Sequence, residues 1–373
     1  MASLLADRVP LPGLVRTVGS QAHTAWLNRT LWSPRHLLGA VRLPLHWALR
    51  RDYSAPHPLA LAWYLTHACP EACDFCNVTQ ALDQEQPAMS PAQAGALVDR
   101  LVPRIPVVAL GGGEPMVYPG VVDLIDRIQH RGGRVFLVTS GTPVGPGRAG
   151  DLARMGPAMI MVSILGDEAS HDRRMGRAGT WRRATAAVRA LVAARDPHRT
   201  RIILNCTVGP QDAEVLPAVA ALARELGVDG LRFTWLSFLG ASERSDHDQD
   251  SLYHVIPDAE LAAFDPAPLL AAAAAVEAEY GHFVEFLPRL SPAERQAWFR
   301  PGGGVDRRCL SLWHTLFLRP DGQVVPCGHL QEAPLGSLLD QDLGGLWNGA
   351  PLREVRRAQG ASPFSICHRC CKV

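Results

Sequence analysis

The sequence predicts an α/β protein that is followed by a small cysteine-rich domain. Short apolar runs alternate with longer amphipathic runs from residue 58 to about 240. A closely spaced cysteine triplet follows the first apolar run, and five further cysteines lie between residue 309 and the C-terminus. Strands that alternate with helices are typical of βαβ units, so the central part of the chain is expected to form a parallel sheet.

The predicted elements follow this alternation in order. Six strands are expected in the apolar runs, at 60–66, 106–111, 134–140, 158–164, 201–208 and 230–236. The amphipathic runs between them predict five helices, at 90–103, 119–131, 147–155, 180–196 and 213–227. In parallel barrels the chemistry gathers at the C-terminal ends of the strands, so polar residues there are the candidates for a site.

Composition excludes several classes of protein. The chain has 373 residues, 47% of them hydrophobic, which is enough to fill the core of one large domain and a smaller one. A net charge of +1 gives no reason to expect a nucleic-acid partner. The odd count of nine cysteines, without a secretory signal, favours a reducing cytoplasm and metal ligation over disulfides. No apolar run reaches the length of about 18 residues that a spanning helix needs.

The first 57 residues are predicted to be a helical extension. Residues 26–51 interleave three tryptophans and other apolar residues with five arginines, which indicates amphipathic helices broken at Pro34 and Pro44. Two roles are open for these helices. They could pack across the open side of the sheet, or they could make a peripheral contact with a membrane or a lipophilic substrate.

The cysteine triplet carries the strongest chemical signal. Cys69, Cys73 and Cys76 have the spacing C-x3-C-x2-C directly after the first predicted strand. Three thiolates on one loop can hold three irons of a [4Fe–4S] cluster and leave the fourth iron open. A structural zinc site is the alternative, with His67 as its fourth ligand. A third possibility is that the thiols are inert core residues.

The triplet and the next strand end together resemble the signature of the radical S-adenosylmethionine (SAM) superfamily. Phe75 precedes the last cysteine, and the second strand runs into the sequence Gly111-Gly-Gly-Glu-Pro115 about 35 residues later. The resemblance implies a partial (β/α)6 barrel and a [4Fe–4S] cluster whose open iron chelates SAM. It also implies reductive cleavage of SAM to a 5′-deoxyadenosyl radical, with the electron supplied by a donor such as flavodoxin or ferredoxin.

The resemblance also implies the residues that contact SAM. Three positions depart from the family pattern: Ser140 replaces an Asn, Leu165 an Asp and Met175 an Arg. His171-Asp172 belongs to the same segment, and it could instead only cap a loop. The positions expected to contact SAM are Phe75, Gly112, Gly113, Glu114, Ser140, Ser163, Arg174, Asn205 and Arg232.

Strand alternation places Asn205 and Thr207 on one face of the fifth strand and Cys206 on the other. We expect Asn205 to face inward. Cys206 could donate hydrogen to a substrate radical, but a buried core thiol is the favoured interpretation.

The C-terminal cysteines predict a second metal site. Cys309 and Cys327 flank a predicted β-hairpin that turns at 321–322, and Cys367 and Cys370 follow as a C-x2-C pair. The pattern resembles the SPASM or twitch domain, which implies an auxiliary [4Fe–4S] cluster on these four thiols. Cys371 can compete for the last position, and a zinc ribbon on the same thiols is the alternative.

These predictions divide the chain into four parts. They are a helical extension at 1–57, a radical SAM partial barrel at 58–240, a bridge of loops and an Ala-rich helix at 241–305, and the auxiliary cluster domain at 306–373. The predicted function is hydrogen abstraction from a small or lipophilic metabolite, which is oxidised or rearranged. The alternative is cross-linking, oxidation or epimerisation of a ribosomal peptide. The metabolite is preferred because no leader-binding winged-helix domain is visible in residues 1–55. A zinc-stabilised binding module is the non-enzymatic alternative.

Overall fold

The computed structural model describes residues 52–78, 82, 85–243, 254–305, 309–361 and 364–371. The predicted helices at 26–51 therefore lie outside the described residues. Within the part that is described, no helix is both long enough and apolar enough to cross a membrane.

The centre of the molecule is a parallel sheet whose strands alternate with helices. The six strands predicted from the sequence are present as β1 Ala60–Thr66, β2 Val107–Gly112, β3 Arg134–Thr139, β4 Met159–Ser163, β5 Arg201–Val208 and β6 Gly230–Trp235. The helices in this region are α1 Pro91–Leu101, α2 Val121–His130, α3 Pro146–Met155, α4 Glu168–Arg174, α5 Thr180–Ala194 and α6 Val215–Glu225. Each strand pairs in parallel with the next one along the chain, which confirms the partial (β/α)6 barrel.

The segment after β6 adds a further strand to the sheet. Its elements are β7 Phe238–Gly240, β8 His254–Ile256, α7 Asp258–Ala263, α8 Ala267–Tyr280, β9 Val284–Leu287 and α9 Pro292–Trp298. Strand β9 pairs in parallel with β6, whereas the sequence predicted only loops and an Ala-rich helix here. This strand has only four residues, and one of them is Glu285. Its charge is acceptable in the sheet because Arg232 on β6 pairs with it, with 2.6 Å between Arg232 Nε and Glu285 Oε1.

The C-terminal domain joins the opposite edge of the sheet. Its elements are α10 Ser311–His314, β10 Thr315–Leu318, β11 Gln323–Val325, β12 Gly336–Ser337, α11 Leu343–Trp347 and α12 Ala350–Ala361. Strand β10 pairs in parallel with β1, and β10 and β11 form the predicted antiparallel hairpin. The described sheet thus has ten strands in the order β12-β11-β10-β1-β2-β3-β4-β5-β6-β9. The C-terminal domain therefore extends the barrel sheet.

The two faces of the sheet bury different sets of residues. The outer face packs against the helices and includes Leu61, Trp63 and Cys206. The inner face carries a smaller apolar cluster of Val107, Ala158, Met159 and Ile203, with Phe136 and Met161 packed against it. Residues of this cluster lie early in their strands, so they close the N-terminal end of the barrel. The C-terminal end is left for a cavity.

Candidate active site: two cysteine groups around one cavity

The loop of residues 69–76, called here the first cysteine loop, follows β1 and rests on the end of α4. The amide of Ala72 donates to the Met175 carbonyl and that of Asp74 to the Arg174 carbonyl, both at 3.0 Å. Burial, together with the nearby Glu114, Glu71 and Cys76, raises the pKa of the Cys69 thiol to about 12. Burial and the neighbouring Cys76 and Cys69 also raise the pKa of Cys73. Thiols crowded in this way become thiolates when positive metal ions are bound beside them.

The glycines at the end of β2 allow the backbone to pack against the start of this loop. The amide of Gly113 donates to the Thr66 carbonyl at 2.7 Å, and the amide of Glu114 donates to the Ala68 carbonyl at 2.9 Å. A Cβ atom on Gly113 would lie only 2.4 Å from the carbonyl oxygens of His67 and Ala68. Gly112 has a φ of 118°, which favours glycine. These glycines are therefore required by the approach of two backbones.

The Glu114 carboxylate is buried and holds the end of β3. It accepts hydrogen bonds from Thr139 Oγ1, Ser140 N and Ser140 Oγ, each at 2.7 Å, and from Met116 N at 3.0 Å. Burial raises the pKa of Glu114, and these hydrogen bonds oppose the rise. Ser140 thus lies beside Glu114. The contact of either residue with SAM stays a prediction.

A second carboxylate near this network was not indicated by the motifs. Glu71 lies inside the first cysteine loop, is buried, and accepts a hydrogen bond from the Thr142 hydroxyl. Thr142 Oγ1 lies 3.0 Å from Ser140 Oγ, so the loop and the end of β3 are linked through hydroxyl groups. The only sequence signal for Glu71 was its place between two of the cysteines.

The His171-Asp172 segment supports local structure. Nδ1 of His171 accepts a hydrogen bond from Leu165 N at 3.0 Å, and burial lowers the pKa of this histidine to about 4. The Asp172 carboxylate accepts from the Thr180 hydroxyl at 2.6 Å and from Trp181 N at 2.8 Å, so it caps the start of α5. Ser163 ends β4 and is partly buried. Asp172 thus has a capping role, which the sequence left open as an alternative to a contact with SAM.

A cavity of about 530 Å³ lies above the inner cluster, between the first cysteine loop and the C-terminal cysteines. Phe75 of the first cysteine loop lines it together with Asn77 just after the loop, as do Asn205 and Thr207 on β5. The Thr234 hydroxyl donates to Asn205 Oδ1 at 2.9 Å. Cys206 instead lies in the hydrophobic core on the other face of β5, and burial raises its pKa to about 12. Other lining residues include Gly111, Gly112, Phe136, Val138, Met161, Arg232, Leu287, Phe317 and Leu330.

The C-terminal cysteine group surrounds the same cavity, which is lined by Cys309, Cys327, Cys367, Cys370 and Cys371. None of the nine cysteines of the chain forms a disulfide. Tyr64, on the inner face of β1, lies between the two groups. Burial raises its pKa, and Cys327, Cys371 and Cys76 add to the rise. Tyr64 therefore remains a protonated hydrogen-bond donor at neutral pH, a role that the sequence did not suggest.

The donors in this region suit iron–sulfur clusters. In the part of the chain that the structure describes, no three His, Cys, Asp or Glu side chains converge as they would around a single metal ion. A cluster spreads its thiolate ligands over several irons. The first cysteine loop offers three thiols, and the C-terminal cysteine group offers five. The fold and the site together define a parallel-barrel protein of the iron–sulfur class.

Comparisons with known proteins identify the family. Residues 63–229 match the model of the Radical SAM superfamily, and residues 309–371 match that of SPASM, an iron–sulfur cluster-binding domain. The chain belongs to the radical SAM superfamily and carries a C-terminal SPASM domain. It is therefore an enzyme whose cofactors are iron–sulfur clusters and SAM.

Curated relatives and solved structures extend this result. The chain is 26% identical over 323 residues to a PqqA peptide cyclase of Gluconobacter oxydans, a match that covers 84% of this chain and 82% of the relative. It is 24% identical over 306 residues to an AdoMet-dependent heme synthase of Methanosarcina barkeri, covering 80% and 85%. The fold is similar to that of Streptococcus suis SuiB, with a TM-score of 0.62, 14% identity, and coverage of 86% of this chain and 74% of SuiB.

Proposed function

We propose that this enzyme modifies a ribosomally made peptide by radical SAM chemistry. The observation that carries the proposal is that Phe75 of the first cysteine loop and the C-terminal cysteine group line one largely apolar cavity of about 530 Å³. This volume lies within the usual range of ligand pockets, roughly 300–1,000 Å³. In the proposed reaction, the same cavity has to accommodate SAM as well as the substrate. The space that remains suits one side chain better than a whole second metabolite. A peptide can insert one side chain while its backbone stays outside.

The relatives support the same choice. One is named for the cyclisation of the PqqA peptide, and the structurally similar SuiB has been solved with its precursor peptide SuiA. The small or lipophilic metabolite preferred from the sequence is the second candidate. It has support from the relative named as a heme synthase. The apolar residues Phe136, Met161 and Phe317 at the cavity suit either an aliphatic or aromatic side chain or a lipophilic molecule.

We assign the first cysteine loop to the cluster that binds SAM and Cys309, Cys327, Cys367 and Cys370 to the auxiliary cluster. When bound, the first cluster and SAM supply a radical that abstracts a hydrogen atom from the substrate. The residues of the chain then orient the substrate and exclude water. Tyr64 offers a hydroxyl donor between the two cysteine groups. The pairs Thr234–Asn205 and Arg232–Glu285 hold the polar side chains of β5 and β6 in place at the wall of the cavity.

The substrate class is tested with anaerobically reconstituted protein, SAM and dithionite. The probes are synthetic peptides encoded beside the gene and, in parallel, iron-free tetrapyrroles as lipophilic metabolites. We expect a peptide to change mass and to raise the yield of 5′-deoxyadenosine, with deuterium transfer from a labelled side chain. Turnover of a tetrapyrrole with no peptide modified would refute the peptide proposal.

The roles of the two cysteine groups are tested by substitution. Cys76→Ala should abolish formation of 5′-deoxyadenosine. The double variant Cys327→Ala, Cys370→Ala should lose about one cluster of iron and still cleave SAM, but product should not form. An unchanged iron content in the double variant would remove the auxiliary cluster from these residues.

A further inference from the structure

The side chain of Arg174 connects the first cysteine loop to the end of β5. Its Nη1 donates to Asp212 Oδ2 and to the Thr207 carbonyl, both at 3.0 Å. Its guanidinium carbon lies 5.0 Å from the centre of the Phe75 ring, and its Nε lies 3.9 Å from Asp74 Oδ1. One buried cation thus contacts both elements. We call the Arg174–Asp212 ion pair the clasp.

The backbone around Arg174 holds the same loop. The Arg174 carbonyl accepts from the Asp74 amide, and the Met175 carbonyl accepts from the Ala72 amide. Gly176 follows with a φ of 68°, and a Cβ atom there would lie 2.7 Å from the Ala72 carbonyl oxygen. The loop is therefore pressed against the C-terminal end of α4. The position of Arg174 sets the position of the loop.

The other end of the clasp is also fixed. Asp212 Oδ2 accepts a second hydrogen bond from Gly209 N at 2.7 Å, which closes the turn after β5. Arg174 and Asp212 are only 7% and 8% exposed, so water screens their attraction little. Phe75 and Thr207, which the clasp holds, both line the cavity. Arg174 is not among the residues that line it.

We propose that Arg174 and Asp212 are positioning residues for SAM binding. They hold Phe75 and the first cysteine loop at a fixed distance from the end of β5, and they do so without touching SAM. This differs from the direct contact that the family resemblance implies for Arg174. Asp212 belongs to no motif, so only its partner in the structure identifies it. The proposal concerns SAM alone and stands or falls independently of the peptide substrate.

The test uses the full chain, reconstituted anaerobically, with the variants Arg174→Lys, Asp212→Asn and both together. Iron content, the SAM dissociation constant from equilibrium dialysis, and the EPR spectrum of the reduced cluster with and without SAM are measured. We expect iron to be retained and SAM affinity to fall about tenfold in each single variant, as for loss of one charge-assisted hydrogen bond. The double variant should bind SAM no more weakly than the single variants, because each single substitution already removes the same ion pair.

Two further variants separate positioning from folding. Asp212→Glu keeps the charge and should restore most of the affinity and the EPR change on adding SAM. Glu168 lies on the same helix as Arg174, and Glu168→Gln breaks its exposed ion pair with Arg182 of α5, which should leave SAM binding unchanged. Normal SAM affinity in Asp212→Asn beside weak affinity in Arg174→Lys would make Arg174 a direct ligand and overturn the proposal. Loss of iron from both variants, with normal affinity per remaining cluster, would overturn it as well.

Discussion

At the residue scale, the surroundings of one buried histidine determine its protonation. His171 accepts the Leu165 amide through Nδ1, and the surrounding apolar residues lower its pKa to about 4. The folded protein therefore keeps this ring neutral at pH 7 and well below. In the unfolded chain the same ring takes up a proton at the ordinary histidine value of about 6.5.

His171 predicts a loss of stability in mild acid. As pH falls below 6.5, His171 becomes protonated in the unfolded state but stays neutral in the folded state, so unfolding becomes more favourable. Because of this pKa difference, the free energy of unfolding should be lower at pH 5 than at pH 7 by roughly 2 kcal/mol. The variant His171→Asn keeps an acceptor for Leu165 N but has no imidazole to protonate. In urea unfolding, the difference between its free energies of unfolding at pH 7 and pH 5 should be smaller than that of the wild type by about the same amount. The exposed His130 gives the control variant His130→Asn, which should follow the wild-type profile. A His171→Asn profile that matches the wild type would contradict the prediction.

At the element scale, the junction between β2 and the first cysteine loop depends on backbone contact. Gly113 leaves no room for a Cβ atom against the carbonyls of His67 and Ala68, whereas a Cβ on Gly111 would have no atom within 4 Å. The two glycines belong to one motif but meet different surroundings. They therefore form a matched pair for mutation.

Gly113→Ala should destabilise the protein by about 1–3 kcal/mol, the usual range for overpacking, and should lower its iron content by displacing the first cysteine loop. Gly111→Ala should unfold at the wild-type urea concentration and retain its iron. Both are measured by urea unfolding and by iron analysis after reconstitution. Equal behaviour of the two variants would mean that the backbone contact does not hold the loop.

At the scale of the whole molecule, one buried arginine connects the C-terminal cysteines to the segment after the barrel. Arg369, between Cys367 and Cys370, pairs with Glu243 and donates to the Trp298 carbonyl at 2.7 Å and the Arg300 carbonyl at 2.6 Å. Its guanidinium carbon also lies 4.6 Å from the centre of the Phe238 ring. The C-terminal cysteine group is thus positioned by a carboxylate of the segment after the barrel.

Glu243→Gln should leave a buried cation without its charge partner and cost about 3 kcal/mol of stability. The C-terminal loop should loosen, so iron content should fall toward that of one cluster while SAM binding by the first cluster continues. The exposed Arg357–Glu354 pair supplies the control, and Glu354→Gln should change neither property. Wild-type iron and stability in Glu243→Gln would show that the pair is dispensable.

The sequence by itself determined the elements and the donor chemistry. Six strands and five helices of the barrel were predicted within about two residues, because a period of 2 or 3.6 in apolar residues reports directly which face is buried. The hairpin before Cys327 and the cysteine spacings were equally local signals. The four-residue β9 was missed because the partner that makes its buried Glu285 acceptable lies 53 residues away on β6.

Only the tertiary structure decided which groups meet. The pairing of β10 with β1 brings the C-terminal cysteine group to the same cavity as the first cysteine loop. Arg174 belongs to a motif, but its partners Asp212 and the Thr207 carbonyl are seen only in the structure. Ion pairs such as Arg369–Glu243, 126 residues apart, leave no periodic trace in a sequence. Their energy depends on burial and distance, which exist only once the chain has folded.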